Sequence, residues 1–110
     1  MNEALTVLLL IIGVLGLRGL LSLARNYRLK KHWNRAREAL ESNDLDTAAH
    51  ALRRCISVVP LWVMARRTLG TILARQGELG EAEEHLKLAA ELQPREAQGF
   101  VELGLFYVLH

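Results

Sequence analysis

Four histidines, one cysteine and a cluster of glutamates are the side chains in this 110-residue sequence whose types invite metal, nucleophilic or acid–base chemistry. His32, His50, His85 and His110 show no metal-ligand spacing with one another or with Cys55, so no metal site is expected. Cys55 stands alone, which excludes an internal disulfide and gives no sign of an oxidising compartment. Glu81, Glu83 and Glu84 read as the exposed start of a helix, where the macrodipole favours negative charge, and not as a paired acid and base. No phosphate loop or nucleophile elbow is present. The expectation is a protein that is not an enzyme and needs no cofactor.

Charge is unevenly placed, although the formal net charge is only +2. Arg18, Arg25, Arg28, Lys30, Lys31, Arg35 and Arg37 occur without an intervening acidic residue. The region from Glu78 to Glu102 is acidic, with Lys87 and Arg95 its only basic residues. The basic run could suggest nucleic acid, but it adjoins an apolar stretch, which makes anionic lipid headgroups the simpler partner and nucleic acid an unneeded one.

Residues 4 to 17 carry no charge, and Arg18 alone interrupts an apolar stretch that resumes through Ala24. Three readings compete for it. A secretory signal lacks its positive start and its small-residue cleavage site here. A buried core helix suits the short uncharged run, whereas residues 4 to 24 together reach the ~20 residues that cross a bilayer. The spanning reading is preferred. Arg18 then lies about 9 Å short of Ala24 along the helix axis. It either snorkels to the headgroups or pairs with an acidic group of a neighbouring membrane subunit. Gly13, Gly16 and Gly19 form a smooth strip that could admit another helix. With Arg25, Arg28, Lys30 and Lys31 on one flank and only Glu3 on the other, the positive-inside bias puts the N-terminus outside and the remainder in the cytoplasm. No proline or glycine occurs from Leu20 through Asn43, so the anchor helix is expected to run with little or no break into the next helix of the chain.

Beyond the apolar stretch, the chain repeats with a period of 34 residues. Ala36, Gly70 and Gly104 align, as do Asn43 with Gly77, Ala48 with Ala82, Leu52 with Leu86, Cys55 with Ala89 and Pro60 with Pro94. The small residues permit close helix crossings, the leucines fill the space between, and each proline ends one unit. Helices are expected at about 28–42, 45–58, 61–76, 79–92 and 95–109, making the chain all-α without strands.

Period and pattern together resemble the tetratricopeptide repeat family, with Leu69, Gly70, Leu73, Ala82, Leu86, Ala89 and Pro94 carrying the likeness most fully. With the apolar stretch and its basic flank taken as an anchor over residues 1–27, the resemblance implies a repeat domain over 28–110. Repeats are expected at about 29–62 and 63–96, with the first helix of a third over 97–110. It also implies a ligand groove lined by the first helix of each unit. Carried over by position, that groove takes Trp33 and Arg37, then Arg67, Thr71 and Arg75, then Gln98. Its arginines suit an acidic or extended peptide, while a clamp for a terminal carboxylate is not matched, because Arg67 and Thr71 stand where that clamp has lysine and asparagine. Trp33 doubles as a bilayer-edge anchor, Trp62 is expected to pack between repeats, and Cys55 to lie in the core.

The last segment is too apolar for the end of an array. Val101, Leu105, Val108 and Leu109 are expected to form a surface for a partner or for self-association. Arg18, Arg25, Arg28, Lys30 and Lys31 are expected at the membrane and its interface. Taken together, the sequence suggests a membrane-anchored adaptor that binds a partner protein in assembly or biogenesis of a membrane complex. Its resemblance to single-anchor repeat proteins of bacterial envelope assembly implies the bacterial inner membrane. The alternative is a stoichiometric small accessory subunit of a large membrane complex.

Overall fold

A computed structural model describes residues 2–110 as five helices: α1 (Asn2–Glu41), α2 (Leu45–Val58), α3 (Val63–Arg75), α4 (Leu79–Leu92) and α5 (Ala97–Leu109). No strand occurs among the described residues. α1 runs without interruption through 40 residues, as expected from its lack of a helix breaker after Gly19. At 1.5 Å per residue that is about 60 Å, most of the 70 Å long axis of the molecule.

The remaining helices stack as hairpins, α1 with α2 and α3 with α4, with α5 laid against α4 and α3. The two hairpin turns repeat one another in detail. Asn43 (φ 57°) and Gly77 (φ 81°) both adopt the left-handed backbone conformation that ends a helix. The following amide then bonds five residues back, Asp44 N–H to the Ala39 carbonyl at 2.8 Å and Glu78 N–H to the Leu73 carbonyl at 2.9 Å. α2 is capped by Asp44, whose carboxylate accepts from the Thr47 hydroxyl at 2.6 Å and from its amide at 3.2 Å. Those two bonds, the hydroxyl's first, hold the Asp44 carboxyl below its ordinary value, and they satisfy an amide that the first turn of α2 leaves open.

α2 and α4 have the limits read from the sequence, but α3 and α5 begin two residues late. Pro60 and Pro94 lie within turns, closed by Trp62 N–H to the Val59 carbonyl and Glu96 N–H to the Gln93 carbonyl, and the helix starts only beyond them.

The core is built on alanine, so the helices approach closely. Ala36, Ala48, Ala65, Ala82 and Ala89 are essentially inaccessible, with Leu52, Leu69, Leu73 and Cys55 the largest fully buried side chains. Burial pushes the Cys55 thiol up, leaving it a small apolar core residue. The tightest crossing is at Gly70, where an added Cβ would lie 2.7 Å from Leu86 Cγ and 3.2 Å from the Ala82 carbonyl oxygen. Gly99 approaches the Ala90 backbone nearly as closely, at 3.2 Å, a contact that the repeat pattern had not marked. Gly104 departs from expectation: it opens on empty space because no helix lies opposite it.

A polar seam joins the two hairpins. Arg53 of α2 makes a two-point bridge to the Glu81 carboxylate on α4, and Glu81 lies 3.6 Å from His85 Nε2. Arg66 of α3 places Nη1 3.2 Å from His85 Nδ1. A guanidinium only donates, so Nδ1 must accept and the imidazole is neutral with its proton on Nε2. Burial first, and the Arg66 charge second, hold His85 below the ordinary 6.5, against the opposing pull of Glu81. A base with a depressed native pKa binds fewer protons folded than unfolded, so its contribution is complete above pH 6.5 and shrinks as pH falls below it. The thermal midpoint should therefore drop between pH 7.5 and 5.5. His32, also held low by burial first, adds to the slope in the same direction, so His85→Gln should reduce it without abolishing it, and an unchanged slope would refute the assignment.

Candidate partner-binding groove

α3 and α5 lie side by side, and the cleft between them brings two of the six sequence-derived groove residues, Thr71 and Arg75, together with two from the apolar surface of α5. It has a volume of about 210 Å³. Thr71 and Arg75 line it from α3, Leu105 and Leu109 from α5, and Leu86 and Phe106 form its apolar floor. Four of the residues anticipated for partner binding thus share one concavity. Val101 and Val108 lie exposed beside it, at 57% and 81% accessibility.

Arg67 is placed differently from expectation. Its guanidinium is largely covered and sits 3.4 Å, Nε to Oε2, from the Glu102 carboxylate on α5. The contact is an ion pair without hydrogen-bond alignment, and Oε2 accepts no hydrogen bond from the protein although it is buried. The other oxygen, Oε1, accepts from Gln98 Nε2 at 3.3 Å. One of the three groove arginines is therefore neutralised from within, and Gln98 serves the same pair. Glu102 is the residue that the reading of basic groove positions missed. It follows Arg67 by one period plus one residue, which is the signal that would have found it.

Trp33 and Arg37 sit apart from the cleft, on α1. Trp33 is half-buried against Trp62, ring centroids 4.8 Å apart and tilted by 41°, so both tryptophans pack between the first two units. Arg37 is exposed, and among the described residues neither Arg37 nor Arg75 has an ion-pair partner. The cleft offers an apolar trough with Arg75, unpaired among the described residues, at its edge and the half-buried Glu102 carboxylate beside it.

The basic residues lie along α1, all exposed. Arg18, Arg25 and Arg28 share one shallow concavity. Lys30 and Lys31 line another with Tyr27 and Arg35. α1 is long and apolar enough to cross a membrane, with a mean hydropathy of 2.4 in its best window and none of that window buried against the rest of the chain. Among the described residues no group of histidine, cysteine, aspartate and glutamate side chains is placed to hold a metal ion.

Comparison with known proteins agrees with the repeat fold. The family model described as tetratricopeptide repeat matches residues 34–97. Among solved structures, a Thermobaculum terrenum O-GlcNAc transferase mutant superimposes with a TM-score of 0.70 at 28% identity, over 76% of this chain and 16% of that one. The C-terminal TPR-containing domain of a putative Plasmodium falciparum FK506-binding protein gives 0.72 at 25% identity, over 80% of this chain and 58% of that one. The TPR2B domain of yeast Sti1, solved as a complex with pHsp70, gives 0.69 at 16% identity over 76% of this chain and 66% of that one, a likeness of fold alone. The chain spans less than two thirds of the length of each. No curated protein matches it.

Proposed function

Since the chain belongs to the tetratricopeptide repeat family, we propose that it is a non-catalytic adaptor, anchored in a membrane by α1, that holds a partner protein in the α3–α5 groove. The fold is that of a protein-interaction scaffold. The observation that carries the membrane reading is the continuity of α1, whose apolar and repeat-forming halves are one unbroken helix. With the positive flank inside, the groove faces the cytoplasm, where a client in assembly of a membrane complex would be met. Arg25, Arg28, Lys30 and Lys31 then lie at the headgroups, each worth about 1 kcal/mol near an anionic surface, and Arg18 reaches toward them from within the span.

The groove chemistry favours a segment with apolar side chains for Leu105, Leu109 and Phe106 and an acidic group for Arg75. Leu105 is 53% exposed, so Leu105→Asp should leave the fold intact while placing a charge in the trough. Retention of the partner during purification in mild detergent should fall about tenfold or more. The exposed turn variant Arg95→Ala should retain it, and equal retention by both variants would refute the groove.

A second reading, the stoichiometric accessory subunit, draws on Gly13, Gly16 and Gly19, each with open space where a neighbouring helix would fit. The same purification separates the two. A fixed one-to-one ratio with a chain unstable alone indicates the subunit, and a sub-stoichiometric yield with a stable chain indicates the factor.

A further inference from the structure

A helix that leaves a bilayer unbroken carries its hairpin partner back toward it. α2 runs antiparallel to α1 for 14 residues, or about 21 Å. Counted back from Glu41, its last residue, Val58, comes about level with Arg28. Arg54 close to His32 agrees with that register, and so does the Trp62 ring on Trp33. The apolar stretch of α1 ends at Ala24, about 6 Å further along the axis, and the interfacial layer on each side of a bilayer is about 5–7 Å deep. The α2–α3 turn therefore stands at headgroup level.

That turn is apolar. It runs Val59-Pro60-Leu61-Trp62, closed by the Trp62 amide on the Val59 carbonyl, with Pro60 and Leu61 exposed at its centre. Between Ala24 and α5, the described residues expose four large apolar side chains: Tyr27, Leu61, Met64 and Leu79. Three of them lie at this end of the hairpins, and Leu79 alone at the other. Leu61, at 63%, is the most exposed of those on the repeat hairpins beyond α1.

Charge divides the same way. Burial first, and then the charges of Arg54, Lys31, Arg35 and Arg28, hold His32 below its ordinary value, so four cations gather at this end. The α1–α2 and α3–α4 turns at the far end carry Asp44 and Glu78 and no basic residue.

Given anchoring through α1, we propose that the α2–α3 turn docks on the same bilayer, with Leu61 in its interfacial layer and the four cations against anionic headgroups. The repeat domain then stands with one end on the membrane. Its acidic turns and the groove, which is lined by the far end of α3, stay in water.

The full chain in vesicles of phosphatidylcholine and phosphatidylglycerol supplies the test. Cys55→Ala removes the native thiol and leaves the residue that Ala89 supplies one unit on. A single fluorophore is then attached through Leu61→Cys or, at the far end, through Leu79→Cys. Iodide should quench the label at 61 about threefold less than the label at 79, and spin labels on the lipid acyl chains should quench only the one at 61. The wild-type chain gives a reading free of substitutions. Lipid brominated near the top of its acyl chains should quench Trp33 and Trp62, which both stand at this end. Flotation of the vesicles separates docking from anchoring. A chain that floats with them but leaves the 61 label open to iodide overturns docking alone. A chain that does not float overturns the anchor, and docking with it. Shielding from iodide without quenching by lipid would mean that a protein covers the turn, which also overturns docking.

Discussion

Replacing Gly70 with leucine is expected to unfold the middle hairpin. A Cβ at this position would stand 2.7 Å from the branch carbon of Leu86 and 3.2 Å from the Ala82 carbonyl oxygen. Neither can move aside cheaply, because Leu86 is itself 2% exposed and the carbonyl belongs to the α4 backbone. Overpacking of this kind costs about 3 kcal/mol or more, a large share of the ~5–15 kcal/mol that holds a domain together. Urea unfolding followed by circular dichroism should show the midpoint collapse, with loss of cooperativity. The same substitution at Gly104, one period on, should leave the transition unharmed, which controls for any general effect of leucine. A normal transition in Gly70→Leu would contradict the repeat register that places the groove and the core.

The repeat was legible because its determinants are local and periodic. Alanine and glycine at the crossings, leucine between them and a left-handed residue at Asn43 and Gly77 recur at fixed spacing, and the hairpins follow. The helix starts after Pro60 and Pro94 were less legible, because the proline marks the break but the residues beyond it close the turn. Least legible was the groove. Arg67 looked like a free cation on a helix face, yet the packing of α5 beside α3 brings Glu102 onto it. Trp33 looked like an interface anchor, and the return of the chain after α2 brings the Trp62 ring onto it. Both contacts join residues about 30 positions apart in the chain, so they depend on how the helices stack and not on the pattern of any one helix.

Removal of residues 2–24 is expected to move the protein from membrane to soluble fraction. Residues such as Leu9, Leu15 and Leu20 are 60% or more exposed along α1. At about 2 kcal/mol for each large aliphatic side chain taken out of water, their transfer into a bilayer outweighs the cost of one arginine near the headgroups. The core lies entirely beyond this segment, its first member being Ala36, so the shortened chain retains its hairpins and should melt cooperatively. The basic flank from Arg25 to Lys31 remains, and any residual attachment it gives should wash away in high salt.

Anchoring through α1 is tested most directly by alkaline carbonate extraction of membranes bearing either the full chain or the shortened one. The full chain should stay in the pellet through both salt and carbonate, while the shortened chain appears folded in the supernatant after salt alone. A full chain released by carbonate, or a shortened chain that stays in the pellet, would contradict an adaptor anchored through α1.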